Sequence, residues 1–503
     1  MNRFTSALVA GTAALTLTGC FGSDRDAADF FIPAGVNSTQ TATAAFDQAR
    51  DGDVIEFACG WFEIGTDLVS SDINGLTIRG CGKDQTVISF ADSASGNGIL
   101  VQNAEGVLIK GLTVVDTPDD GIRVENSDGV TMRDVRAIWS GLNKQITASN
   151  WQTAINVQCP AHGHTPGHAA AYVPNPPGSG KYGLYPTDSR NVLMENSESI
   201  GAWDAGIYIG QSEDVILRNN RAAFNVAGIE IENTNRADAY NNISECNTAG
   251  LMVFNLPDRP FYGDQVRVFD NILRNNNTEN FASSGFITLL PPGLGLMVMA
   301  LDQVEARNNI IEGNDTAGVI IVSHELLAFA GQSGGMADLQ LNPWPDAIHI
   351  RNNTFSNNGN NPADGDALSL VITAANENQG GAHIIWDGFI DELDDTCAAP
   401  TEVDGFDERG KPQYRNDPDP ACRYNAYKFD VDGTGDRIKP DFWICVEDNT
   451  FGPQNAPAFL NVMNSVDDTF TPIGADNDPS PHNCTVEFGE TLPLLPAANP
   501  SYF

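Results

Sequence analysis

The chain has 503 residues and carries 27 Lys and Arg against 66 Asp and Glu, a formal net charge of −39. A field of that sign repels nucleic acid, so DNA or RNA is excluded as a partner, and a polyanionic glycan would need a local basic site or bound cations. A globular chain of this length is expected to split into several cores, whereas a solenoid adds core along one axis and can remain a single domain.

In chain order, Arg3 precedes an apolar stretch from Ala7 to Leu17. That pattern fits the basic and apolar regions of an export signal and is too short to span a bilayer. The following Leu17-Thr18-Gly19-Cys20 resembles the lipobox of bacterial lipoproteins. The resemblance implies lipidation of Cys20, and Phe21 in place of Asp implies outer-membrane delivery. An ordinary cleaved signal is the alternative. The expectation is an exported chain on the periplasmic or surface side, held to the membrane through its anchor only. Nine cysteines less Cys20 leave eight, an even number in an oxidising compartment. Proximity suggests Cys59 with Cys81, Cys159 with Cys246, Cys397 with Cys422 and Cys445 with Cys484, although connectivity does not follow from sequence.

Residues 21–37 read as a loose tether. Thr39 to Arg50 has helical composition with Ala45, Phe46 and Ala49 on one face, and a helix laid there would cover the open end of a first rung. Beyond it one template recurs. Ala205-Gly206-Ile207-Tyr208-Ile209 and Ala227-Gly228-Ile229-Glu230-Ile231 repeat Tyr182-Gly183-Leu184-Tyr185-Pro186, and each Gly is followed nine residues later by a second alternating run. Recurrence of two short strands about every 22 or 23 residues marks a coil that stacks on itself. The second runs open at Leu76, Val107, Val130, Val192, Val215, Ala237, Val266, Val304, Ile348 and Ile444. The fold class is therefore all-β, a single-stranded right-handed parallel β-helix (solenoid) with an N-terminal helical cap and loop insertions. Its body spans 38–390, an Asp/Pro/Gly-rich insertion spans 391–442, and a last rung and tail fill 443–503.

Two columns read as structural. Gly98, Gly121, Gly183, Gly206, Gly228, Gly250, Gly295 and Gly318 each precede a strand, where positive φ or close backbone approach is required. Asp134, Asn196, Asn219, Asn241, Asp270, Asn308, Asn352 and Asp448 suit left-handed corners, and stacked amides can form a ladder.

Function is expected where exposed columns bring polar groups together. Stacking places Leu100, Arg123, Tyr185, Tyr208, Glu230 and Met252 in one outward column, with Asp119, Lys181, Asp204 and Val226 beside it. Tyrosine faces pack on the apolar side of a sugar while charges orient its polar groups. The stripe Arg123–Tyr185–Tyr208–Glu230 is thus read as a solvent-facing saccharide site. The same charges also fit a salt-linked ladder between rungs.

Tyr182-Gly183-Leu184-Tyr185-Pro186-Thr187, followed by Asp204 before Gly206, resembles the active-site strands of mannuronan (alginate) epimerases. The resemblance assigns Tyr182 and Asp204 to that family's tyrosine and later aspartate, and implies that catalysis would use them as acid and base, with Lys181 or Arg123 neutralising charge. Tyr185 and Thr187 stand where the family has Asp and His, which removes much of its acid–base set. The opening Gly52-Asp53-Val54-Ile55 resembles the entry into pectate-lyase-like β-helices. More of the chain, including Gly295-Leu296-Met297-Val298-Met299-Ala300, is similar to exported bacterial parallel β-helix domain (lipo)proteins with no assigned activity. That resemblance implies a dihaem c-type cytochrome as a partner, giving a non-catalytic scaffold as the alternative function. Two metal-like clusters remain. Cys159, His162, His164 and His168 have a spacing that permits zinc or copper. Asp430, Asp432, Thr434, Asp436 and Asp441 resemble a calcium loop, with Pro440 against the usual exit helix.

Overall fold

The computed structural model describes residues 27–160, 172–324, 341–388 and 444–462, less positions 36, 95, 176–177, 346, 364–366, 377–379 and 453–456 within them. It also describes a hairpin formed by Val403–Phe406 and Pro412–Tyr414, and residues 477, 479, 482 and 483. Cys20, His162, His164, His168, Cys397, Cys422, Cys484 and the candidate calcium ligands Asp430, Asp432, Thr434, Asp436 and Asp441 lie outside the described residues.

The body winds as a parallel β-helix. Eleven strands, from Leu68–Ser71 to Phe459–Asn461, stack into one sheet, while 21 others form a second sheet that bends around the remaining sides. The expected register is observed residue for residue: Val107 pairs with Val130, Val130 with Val192, Val192 with Val215, and so on to Ile348 with Ile444. Inward residues such as Ile207, Ile229, Leu251 and Val298 form one continuous apolar core along the axis. No single rung could bury these side chains by itself, so cohesion passes from neighbour to neighbour.

The amino-terminal helix runs Ser38–Gln48 and buries Ala42, Ala45 and Phe46 against the first rung. The preceding segment differs from a loose tether, because Phe30–Ile32 pairs in parallel with Ile55–Phe57. At the other end Phe459–Asn461, within the segment read as a last rung and tail, adds a strand to the eleven-stranded sheet.

Every residue of the corner column has left-handed backbone, from Asp134 at φ 52° to Asp448 at φ 52°. The amide ladder, however, stands one residue further on. Asn220, Asn242, Asn271, Asn309, Asn353 and Asn449 pass hydrogen bonds from side chain to side chain or backbone. A second, wholly buried ladder joins Asn225, Asn247, Asn276, Asn314 and Asn358. The residue at positive φ turns its own side chain outward, so the next one points into the coil.

The glycine column has no positive φ; close approach explains it. A Cβ on Gly228 would lie 2.5 Å from the Gly250 carbonyl oxygen and 2.1 Å from Ser244 Oγ. Gly228→Ala should therefore lower stability by about 2–3 kcal/mol, since the obstruction includes backbone that cannot turn aside. A fall in the urea midpoint of that size checks it, and an unchanged midpoint would refute it.

Disulfides Cys59–Cys81 and Cys159–Cys246 are both present. The second pins the 140–181 excursion to the coil and corrects one expectation: a disulfide sulfur is not a thiolate, so Cys159 cannot join the three histidines on a metal. Cys445 is disulfide-bonded as well.

Candidate functional site

The site occupies the outer wall of the eleven-stranded sheet, on strands Ile122–Glu125, Leu184–Thr187, Ala205–Gly210 and Ala227–Glu232. Strand pairing places Arg123 against Tyr185, and Leu184 against Ile207 so that Tyr185 follows Tyr208, which pairs with Glu230. All four belong to one column, as expected. Their exposure differs from expectation. Arg123 and Tyr185 reach solvent, but Tyr208 is only 4% exposed and Glu230 only 3%.

Two neighbours cause that burial. Tyr182, one residue before its glycine, turns its ring to within 4.6 Å of the Tyr208 ring centre and 4.5 Å of that of Tyr185, while Tyr185 and Tyr208 meet edge-on at 4.8 Å. Arg259 then reaches in from the 256–263 insertion and bonds Glu232 at 3.1 Å. Further along the wall Met252, Met297 and Ile320 continue the column as an apolar strip under Ile287, Leu290 and Ile372. The site is the polar section where that covering stops.

Gly210 provides room for this packing. It occupies the next outward position after Tyr208, and a Cβ there would sit 2.3 Å from the tyrosine ring. Gln211 Nε2 donates to Glu232 Oε1 at 3.0 Å and to the Tyr208 phenol oxygen at 3.5 Å.

The charges form two groups on either side of the tyrosines. On one side Asp120, 2% exposed, accepts from the Tyr182 backbone N–H at 3.4 Å and pairs with Arg123 at 3.4 Å. Arg123 also pairs with Glu125 at 2.6 Å and lies 4.8 Å from the Tyr185 ring centre. Burial, with Asp119 adding repulsion, pushes the Asp120 carboxyl up to about 7. On the other side Asp204 lies 4.0 Å from Lys181, with the Tyr182 hydroxyl beside it favouring the ionised carboxylate. Its carboxyl is pushed up to about 7 by burial, against the opposing pull of Lys181. Lys181 itself stands 4.6 Å from the Tyr182 ring centre. Glu230, which has no hydrogen bond among the described residues, is raised well above the usual range by burial and by Asp204. Tyr182 and Tyr208 are held protonated by burial, and the Tyr185 hydroxyl is pushed up to about 12.

Chemically, the arrangement offers a carboxyl titrating near neutrality beside a phenol that keeps its proton. One can accept a proton and the other donate one across a bound ligand. The structure brings together Arg123, Lys181, Tyr182, Tyr185, Asp204, Tyr208 and Glu230. Asp120, Glu232, Gln211 and Arg259 were missed. Asp120 had a legible signal, since it precedes Gly121 as Tyr182 precedes Gly183. Arg259 had none, because no period fixes where an insertion folds back. Among the described residues, no group of three or more His, Cys, Asp or Glu is placed to hold a metal.

A model of the right handed beta helix region family matches residues 70–255 and 178–333. No curated protein matches the sequence. Among solved structures, the chain is similar to the A-module of a mannuronan C-5 epimerase from Azotobacter vinelandii at 14% identity and TM-score 0.40, over 71% of this chain and 91% of the other. It is similar at 14% identity and TM-score 0.40 to the catalytic unit of an α-1,3-glucanase from Streptomyces thermodiastaticus, over 72% and 49%. The corresponding values for a polygalacturonase from Erwinia carotovora are 10% and 0.32, over 68% and 95%.

Proposed function

We propose, from the premise that the chain belongs to the right handed β-helix family, that it binds and processes a saccharide at the tyrosine–carboxylate cluster. The observation that carries this reading is the contact of Tyr182 with Asp204 beside Lys181, next to the half-exposed ring of Tyr185. Tyr185 presents an apolar face to the ligand, with Arg123 behind it. Asp204 acts as base and Tyr182 as proton donor, with Lys181 beside Asp204 to offset the negative charge of the site. Tyr208 and Glu230 lie beneath this surface; they shape the electrostatics and do not touch bulk solvent.

The test is a saccharide screen of the mature chain alongside Tyr185→Ala and Tyr182→Phe. Tyr185→Ala should weaken the recovered ligand about tenfold, equivalent to about 1.4 kcal/mol. Tyr182→Phe should retain binding and lose product formation. If neither variant alters the response to any saccharide, the reading is wrong. Export and lipid attachment at Cys20 belong to the same proposal, as the route by which the chain meets extracellular glycan. The rival, docking of a dihaem c-type cytochrome on the acidic surface, predicts salt-sensitive binding indifferent to Tyr185→Ala.

A further inference from the structure

Beside the tyrosine cluster, at the corner where the eleven-stranded sheet passes into the next face, lies an open groove of about 550 Å³. Its floor is built by one residue from each of four successive rungs: Asn103, Asn126, Asp188 and Gln211. Its far wall is Pro260 and Phe261, from the same insertion that carries Arg259. We propose that this groove is a binding subsite for an uncharged, hydroxyl-rich glycan chain running parallel to the coil axis; the inference rests on the saccharide reading of the adjoining cluster and extends it.

Asn103, Asn126 and Asp188 are residue types that left-handed corners favour, but glycine would serve the backbone equally well. All four positions have φ between 47° and 56°, a conformation that glycine adopts without strain. Gln is not among the residues that turn chemistry selects for such a corner. The floor nevertheless holds amide and carboxylate groups at the rung spacing, and three of the four are exposed. They supply both donors and acceptors, which is what vicinal hydroxyls require. Asn126 Nδ2 donates to Asn103 Oδ1 at 2.7 Å, so the floor is oriented by contacts within it. The half-buried Phe261 supplies an apolar face opposite these polar groups, the combination that fixes a sugar ring in place.

Charge selects against uronates. The lining holds four carboxylates and a single guanidinium, Arg190, and a polyanion entering there would meet net repulsion in addition to that of the whole chain. Continuity joins the groove to the chemistry. Gln211 lines the floor and also bonds Glu232 and the Tyr208 phenol, so a chain lying in the groove ends against the cluster.

The test uses calorimetric titration of the mature chain with neutral hexasaccharides of the cello, manno, xylo, laminari and chitin series, beside hexagalacturonate and hexamannuronate. Asn126→Gly/Asp188→Gly removes two floor groups while preserving the left-handed corners, and Phe261→Ala removes the wall; unchanged thermal midpoints establish that each variant is folded. The expected result is binding of at least one neutral hexamer, none of either uronate, and weakening of about tenfold or more in both groove variants. Binding lost in Tyr185→Ala but retained in both groove variants would overturn the groove and leave the cluster. Loss in the groove variants with Tyr185→Ala unaffected would do the reverse. Failure of every neutral hexamer, or tighter binding of a uronate, would overturn the groove outright.

Discussion

Asn247→Ala should cost about 3–5 kcal/mol of stability, the largest effect expected from a single truncation in the coil. The side chain is wholly buried in the second amide ladder. Its Oδ1 accepts from the Asn225 N–H at 2.9 Å and from Asn225 Nδ2 at 3.0 Å. Its Nδ2 reaches Ala222 O at 3.1 Å, Ser244 Oγ at 3.0 Å and Asn276 Oδ1 at 3.0 Å. Truncation removes hydrogen bonds to three rungs at once, among residues that are fully buried. Each group left unsatisfied costs about 1–3 kcal/mol; the Asn225 N–H loses its acceptor, while Asn225 Nδ2, Ser244 Oγ and Asn276 Oδ1 each keep one partner and lose the other. Asn241→Gly is the matched control. Asn241 sits at φ 55° with its side chain exposed, and glycine accepts that backbone, so the change should be near neutral. The measurement is a pair of urea unfolding curves. Equal losses in the two variants would show that the corner, and not the buried amide, holds the rungs together.

That contrast also marks how far the sequence can be read. The period is written in inward apolar residues, and a strand slipped by one would turn them all outward. Register from Leu76 to Ile444 was legible for that reason. The corner column was legible because only a few residue types tolerate left-handed backbone. The ladder was misplaced by one residue because Asn occupies both positions, as in Asn219-Asn220 and Asn241-Asn242, and composition cannot tell which amide turns inward.

The site divides along the same line. That Arg123, Tyr185, Tyr208 and Glu230 share a wall followed from register alone. That Tyr208 and Glu230 are covered did not, since their cover comes from Tyr182 and from an insertion with no repeat to place it. Just before the glycine the strict alternation of faces fails. Asp120 and Tyr182 consequently join the wall from a position that the outward column does not include, whereas Asp119 contributes its backbone carbonyl to Lys181. Insertions and corners, where backbone departs from the repeat, are also where chemistry is added to a solenoid.

Asp204→Asn should separate function from support, because the two roles predict opposite signs. Asn preserves the shape of the side chain and an acceptor for Tyr182, but cannot take up a proton. Saccharide turnover should fall by about 10²–10⁴-fold, the usual contribution of a positioned general base. In the native chain turnover should rise with pH through about 7, as Asp204 loses its proton. Stability should move the other way. The folded carboxyl titrates near 7 while the unfolded one titrates at its ordinary 3.8, so between these values the folded chain holds a proton that the unfolded chain has released. Stability therefore declines as pH rises across that window and levels off above it. Removing the carboxyl should flatten part of the decline and leave the variant more stable than the native chain at pH 8. Some slope will persist, because Asp120, Glu230 and Glu232 are all raised and contribute in the same sense. Activity and melting temperature measured on the same preparations from pH 4 to pH 8 decide the matter. A variant that is less stable at pH 8, or that keeps its turnover, would show Asp204 to be a partner of Lys181 and nothing more. A gain in stability bought with a loss of turnover would mark a carboxylate kept buried, against its own solvation, for proton transfer.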